Sequence, residues 1–201
     1  KAQGSAEVKD YQYYFHQYKI EELYREYIVA NHGRAAQEDN LQQVVNHLDY
    51  YYLANKLRYC CVILNRKQVT TVDWEIHLLE EILAYVTRTD FSEIPAISIY
   101  HRLFLLLKEA NEDYYPELRA LLTEHASVFP KDELRQIYTV VFNYSNQQLK
   151  NGKAYFLREI FELYQEMLQS EVLMSNGMIA PYLHFRNIVR AAVRLGELDW
   201  A

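Results

Sequence analysis

The sequence predicts an all-α protein of about eight to nine helices that pair as antiparallel hairpins. Only five of its 201 residues are glycine and four are proline, too few turn-forming residues for a many-stranded barrel or sandwich. Apolar residues recur every three to four positions along most of the chain, as on one face of a helix. The segments between these stretches are short, mostly about two to eight residues, so consecutive helices are expected to be antiparallel neighbours.

Three helices are predicted before residue 90. The first covers about 6–31 and ends at Gly33. The second starts after the capping residue Asp39 and runs to about Leu64, and the third starts at about Thr71. The apolar stripes of the first two, which we expect to face the core, are Tyr11, Tyr14, Phe15, Tyr18, Leu23, Tyr24 and Tyr27, and then Leu41, Val44, Val45, Leu48 and Tyr52. The third repeats apolar residues at Trp74, Leu78, Ile82 and Val86.

Proline and glycine residues mark the ends of the helices that follow. Prolines stand where four helical patterns begin, at Pro95, Pro116, Pro130 and Pro181, and proline is tolerated in the first turn of a helix. Gly152 makes a tight turn between two helices, and Gly196 closes a last full helix over about 180–195. A new helix is expected to begin near Leu198, so we expect the chain to be a fragment of a longer protein.

The two turn glycines define a repeating unit. With Gly152 and Gly196 in register, each turn follows one amphipathic helix and precedes another. Because a single hairpin cannot bury its apolar face alone, stacked hairpins build a continuous core. We therefore expect one helical-repeat domain over 1–201, arranged as a repeat-like α-solenoid, with irregular hairpins over 1–90 and regular ones over 95–201. A compact, irregular helical bundle is the alternative.

The last helix and its turn resemble a tetratricopeptide repeat. That family has a bulky aromatic, apolar residues, a small residue, a turn glycine and a packing alanine at this spacing, which here are Phe185, Ile188, Val189, Ala192, Gly196 and Ala201. The preceding unit places Val141, Tyr144 and Ser145 at the bulky, apolar and small positions, and Leu157 at the packing alanine. The resemblance is clearest over 131–201, and it implies a concave groove that binds partner peptides.

An arginine row marks the last full helix. Arg186, Arg190 and Arg194 are spaced i, i+4 and i+8, so they lie on one helix face. His184 and Asn187 are close by, and the sequence has no acidic residue from 172 to 196. The guanidinium group pairs with carboxylates through two parallel hydrogen bonds. We therefore expect these five residues to bind a peptide or acidic segment of a partner protein.

The resemblance places Arg186, Asn187 and Arg190 at positions that point into the groove. The alternative is that the arginines form a solvated face, or pair with acids of a neighbouring helix, which would be Glu159, Glu162 or Glu166.

Tyrosine is unusually frequent, at 19 of 201 residues. It crowds the first helix and forms the run Tyr50, Tyr51 and Tyr52 in the second. Three consecutive residues cover about 200° of a helix, so they cannot all face the core. At least one is expected at a hairpin junction or a partner surface, where an amphipathic ring is favoured, and the other tyrosines are expected to pack in the core.

Local motifs for catalysis or metal binding are absent from the sequence. His77 and Glu81 lie one helical turn apart, but no two histidines are spaced i, i+4, as a zinc site would favour. The adjacent cysteines Cys60 and Cys61 are interpreted as small buried hydrophobic residues. No glycine-rich phosphate loop or nucleophile elbow occurs. We therefore expect no enzyme activity, no metal and no cofactor.

The net charge and the hydropathy of the chain limit the classes of partner that it is expected to bind. The 21 basic residues against 27 acidic ones give a net charge of −6, which argues against nucleic acid. No run of 18 apolar residues could span a membrane, and unpaired thiols suit the cytoplasm. The sequence thus predicts a non-catalytic protein-binding scaffold. The alternatives are a structural helical portion of a larger protein, packed against further C-terminal repeats, and a helical enzyme or ligand carrier.

Overall fold

A computed structural model describes residues 8–32, 40–67, 70–109, 111–175, 178–179 and 182–200. These residues form eight α-helices, one short 3₁₀ helix and one pair of two-residue strands. The prediction of an all-α protein is therefore confirmed. The chain divides into two compact units, 1–129 and 130–201, which are described separately below. The expectation of a single helical-repeat domain with solenoid stacking stays a prediction.

The first unit contains five α-helices. Their bounds are Tyr11–His32 (α1), Leu41–Lys67 (α2), Leu79–Arg88 (α3), Pro95–Glu109 (α4) and Tyr114–His125 (α5), and the 3₁₀ helix Ala126–Val128 follows. The helices α1 and α2 form an antiparallel hairpin, since Tyr14 contacts Tyr50 at 5.8 Å between ring centroids and the Asn40 amide donates to the Glu21 carbonyl at 2.8 Å. The other face of α2 packs on α4, which in turn packs on α5.

Both cysteines lie on the buried face of α2. Cys60 and Cys61 are free and buried, and the Cys61 thiol donates to the Tyr100 carbonyl at 3.4 Å. Burial raises the pKa of both thiols, as expected for a group whose charged form is desolvated. The interpretation of these cysteines as buried hydrophobic residues is confirmed.

The predicted core stripes of α1 and α2 are partly wrong. Tyr14 is buried, but Leu23 is 60% exposed and Tyr27 is 59% exposed. The α2 stripe is exposed at Leu41, Val45, Leu48 and Tyr52. The physical reason is that α2 buries a different face, through Leu53, Ala54, Leu57, Cys60 and Cys61. Of the tyrosine run, Tyr52 is the exposed member, which confirms that the three do not all face the core.

The third helix begins later than predicted. Residues 70–76 are not helical, and α3 starts at Leu79 after Leu78, whose φ is 62°. Trp74 and Leu78 therefore lie outside the helix, whereas Ile82 and Val86 are buried in it. The β-branched residues Thr70, Thr71 and Val72 disfavour a helix at this point.

Other predicted helix ends differ by a few residues. The first helix begins at Tyr11 rather than at about residue 6, and the second extends to Lys67. The predicted cap Asp39 and the turn residue Gly33 lie outside the described residues. Residues 198–200 form a turn rather than the start of a further helix.

The second unit contains three α-helices and the strand pair. Their bounds are Lys131–Lys150 (α6), Phe156–Gln169 (α7), Met174–Ser175 (β1), Met178–Ile179 (β2) and Tyr182–Leu195 (α8). The central helix α7 packs on both α6 and α8. Left-handed glycines lie at both predicted turns, with φ of 91° at Gly152 and 78° at Gly196, a conformation that glycine adopts without strain.

Candidate functional site

The candidate site lies on α8, which has two distinct faces. Ile188, Ala191 and Ala192 are buried, and α8 packs on α7. Arg186, Arg190 and Arg194 are exposed. Since four residues rise about 6 Å along a helix, the three guanidinium groups form a row on the solvent side of α8.

No carboxylate among the described residues neutralises the arginine row. In the part of the chain that the structure describes, none of the three forms an ion pair with a carboxylate within 4.0 Å. The acid closest in sequence, Glu197, is instead paired with Arg158 of α7 at 2.7 Å, and Glu166 accepts a hydrogen bond from the Tyr138 hydroxyl at 3.3 Å. The positive charge of the row thus remains available to a ligand.

A cleft of about 180 Å³ lies beside the row. Residues of α6, α7 and α8 line it. The lining residues are Phe142, Asn146 and Leu149 of α6, Leu157 and Ile160 of α7, and Asn187, Arg190, Ala191 and Arg194 of α8. Among these described residues none is acidic. The volume is below the roughly 300–1,000 Å³ of small-molecule sites, so the cleft accommodates a side chain or two rather than a cofactor.

The structure brings together three of the five predicted site residues. Asn187, Arg190 and Arg194 line the cleft, whereas Arg186 and His184 do not. His184 is half-buried, and its ring lies 6.1 Å from the Tyr164 ring in an edge-to-face contact. Burial raises the pKa of Tyr164 to about 12. His184 thus belongs to the packing between α7 and α8.

The sequence did not predict the α6 and α7 contributions to the cleft. The Asn146 amide donates to the Phe142 carbonyl one turn earlier, at 2.9 Å, which holds both residues on one side of α6. The i, i+4 spacing of Phe142 and Asn146 predicts that they share one face of α6. The spacing could not predict that this face borders the same cleft as α8, because the cleft depends on packing between residues about 45 positions apart.

A second cleft, of about 520 Å³, lies in the first unit. Its lining includes the basic residue Lys9, the acidic residues Glu93 and Glu124, and His125. His125 Nε2 lies 3.7 Å from the Glu124 carboxylate. This mixture does not select a ligand of one charge, so the cleft is a weaker candidate than the one in the second unit.

The histidines do not assemble a metal site in the described residues. His77 is well exposed on the turn before α3, with Nδ1 3.4 Å from the Glu75 carboxylate. His101 is buried, and its Nε2 lies 3.4 Å from the Thr87 hydroxyl oxygen. Within the ranges that the structure describes, no group of three or more metal-ligating side chains converges.

Comparison with protein-family models, with curated proteins and with solved structures found no match to this chain. None of the helices in the described ranges is both long enough and apolar enough to cross a lipid bilayer.

Proposed function

We propose that the second unit is a non-catalytic protein-binding module that holds an acidic peptide segment in the cleft between α6 and α8. One observation carries the proposal: Arg190 and Arg194 are exposed, make no ion pair within the described residues, and border an apolar cleft whose described lining contains no acid. An arginine pair in this setting favours carboxylates, because the guanidinium fork matches the carboxylate geometry.

The rest of the lining indicates how the segment is held. Phe142, Leu149, Leu157 and Ile160 provide apolar lining for a partner side chain, whose burial favours binding. Asn146 of α6 and Asn187 of α8 also line the cleft, and their side-chain amides can donate to and accept from the backbone of an extended segment. The favoured ligand therefore combines an apolar side chain with one or two nearby carboxylates.

Two further features support a role and a location for this module. The tetratricopeptide-like motif residues of α8 support a scaffold role, in which recognition rather than chemistry is the activity. The free, buried thiols of Cys60 and Cys61 support a reducing compartment, which we propose is the cytoplasm.

The test is binding of a library of fluorescent extended peptides, each with one apolar residue flanked by Asp or Glu, measured by polarisation. We expect Arg190→Glu and Arg194→Glu each to weaken the best binder about tenfold or more, and affinity to fall with salt. Arg88→Glu, which makes the same charge change in the first unit, is the control. Arg186→Glu is expected to have a smaller effect, since Arg186 does not line the cleft.

Two results would contradict the proposal. If no acidic peptide binds, or if the best binder is unaffected by Arg190→Glu and Arg194→Glu while the helical content is unchanged, the cleft is not the binding site.

A second candidate function rests on exposed apolar residues near the end of the chain. Phe185 is 57% exposed and Leu198 is 67% exposed, as expected for a structural helical portion of a larger protein that packs against further helices. This candidate predicts that the chain associates with itself and that Phe185→Glu and Leu198→Glu abolish the association. Retained association in both variants would argue against it.

A further inference from the structure

The outward face of α2 carries an apolar seam with coiled-coil spacing. Its positions are Leu41, Val45, Leu48, Tyr52, Asn55 and Tyr59, which alternate steps of four and three residues. The five apolar members are between 42% and 54% exposed. Steps of four and three are the a and d positions of a heptad, and they keep a seam facing one partner helix. The seam covers about 27 Å of helix.

The other two sides of α2 are already occupied. One side faces α1, where the Tyr51 and Phe15 ring centroids are 5.1 Å apart and the Arg58 guanidinium lies 4.8 Å from the Tyr11 ring centroid. A second side is buried through Leu57 and its neighbours, and α2 packs on α4. Among the residues that the structure describes, the seam from Val45 to Tyr59 and the flank beside it are the sides of α2 that remain exposed to a partner.

The flank beside the seam carries one acidic and one basic residue, so the flanks of two copies can pair with each other. Asp49 and Lys56 directly follow the seam positions Leu48 and Asn55, so both occupy the same heptad flank, one heptad apart. In an antiparallel pair of identical helices, each flank meets the same flank of the partner. Asp49 of each copy then faces Lys56 of the other, which gives two symmetric ion pairs.

A parallel pair would not use these charges. It would set the Asp49 flank against the opposite flank of the second copy, which contains Val44, Tyr51 and Arg58 and lies against α1. In the antiparallel register that joins Asp49 to Lys56, Leu48 packs on Tyr59 of the second copy, and Tyr52 packs on Asn55 of the second copy. The two seams then overlap over 48–59, about 17 Å of helix.

We propose that two copies of this chain associate through α2 as an antiparallel, coiled-coil-like pair, held by the apolar seam and oriented by Asp49 and Lys56. This inference is independent of the peptide cleft, which lies in the second unit.

The experiment is sedimentation of the full chain over a range of concentrations. The wild-type chain is expected to form a dimer, and Leu48→Glu to abolish it. Asp49→Lys and Lys56→Asp are each expected to raise the dissociation constant about tenfold, because each replaces two attractive contacts by two repulsive ones. The double variant Asp49→Lys/Lys56→Asp is expected to restore wild-type affinity within about threefold.

Glu26→Lys on α1 is the matched control, since it changes the net charge by the same amount as Asp49→Lys, away from the seam. Circular dichroism verifies that each variant remains helical. A chain that is monomeric at every concentration overturns the proposal. So does a dimer that survives Leu48→Glu, or one in which the double variant is no better than the single ones.

Discussion

The substitution Leu163→Ala tests whether α7 is the central packing element of the second unit. Leu163 is fully buried, with no exposed fraction, and α7 contacts both α6 and α8. A cavity at this position therefore weakens the scaffold on which the cleft depends. No polar contact is removed, so the loss of stability arises from packing alone.

The size of the loss follows from the atoms removed. Leucine to alanine deletes three carbon groups, which contribute about 0.8 kcal/mol each when transferred from water, or about 2.4 kcal/mol. The cavity adds to this, because a packed interior relaxes only in part. We expect the free energy of unfolding of the second unit to fall by about 3 kcal/mol.

The two tryptophans make the assay specific to each unit. Trp200 of the second unit contacts Phe161 at 4.9 Å between ring centroids, and Trp74 lies in the first unit. In a Trp74→Phe background, Trp200 fluorescence follows urea unfolding of the second unit alone. With a urea slope of about 2 kcal/mol per molar, the midpoint is expected to fall by about 1.5 M.

Val193→Ala is the matched control, since Val193 lies on the exposed side of α8. It is expected to change stability by less than about 0.5 kcal/mol. A loss below about 1 kcal/mol for Leu163→Ala, or one no larger than that of the control, would refute the assignment of α7 as the central packing element.

Two further predictions concern pH and backbone conformation. Burial of His101, reinforced by the charge of Arg102, lowers the pKa of its imidazole below the ordinary 6.5. The unfolded chain therefore binds a proton at His101 more readily than the folded chain does. Stability is consequently lost as the pH falls below 6.5. His101→Gln is therefore expected to flatten the fall in unfolding free energy between about pH 7.5 and pH 5.5, and an unchanged slope would contradict the cause given. Gly196→Ala is expected to destabilise the second unit by about 1 kcal/mol through its positive φ, since an added Cβ meets nothing within 4 Å. A neutral result in the Trp200 assay would show that the turn relaxes.

Helix content could be read from the sequence because it depends on local properties. The scarcity of glycine and proline and the period of apolar residues indicated the all-α fold, and the left-handed turns fell at the predicted Gly152 and Gly196. The arginine row was also predictable, since i, i+4 spacing fixes a shared helix face regardless of the rest of the chain. The late start of α3 was harder to predict, because Trp74 and Leu78 continue the four-residue apolar period of the helix but lie before its first residue.

Which helix face meets a partner was decided by the tertiary structure alone. The stripe of α2 that was predicted to face the core is exposed at Leu48, whereas Leu57, which the stripe did not include, lies in the core. Likewise, Asn187 and Arg190 border a cleft only because Phe142 of α6 and Ile160 of α7 line the same space. Periodicity specifies which residues share a face, whereas burial of that face depends on contacts between residues far apart in sequence, which no local pattern encodes.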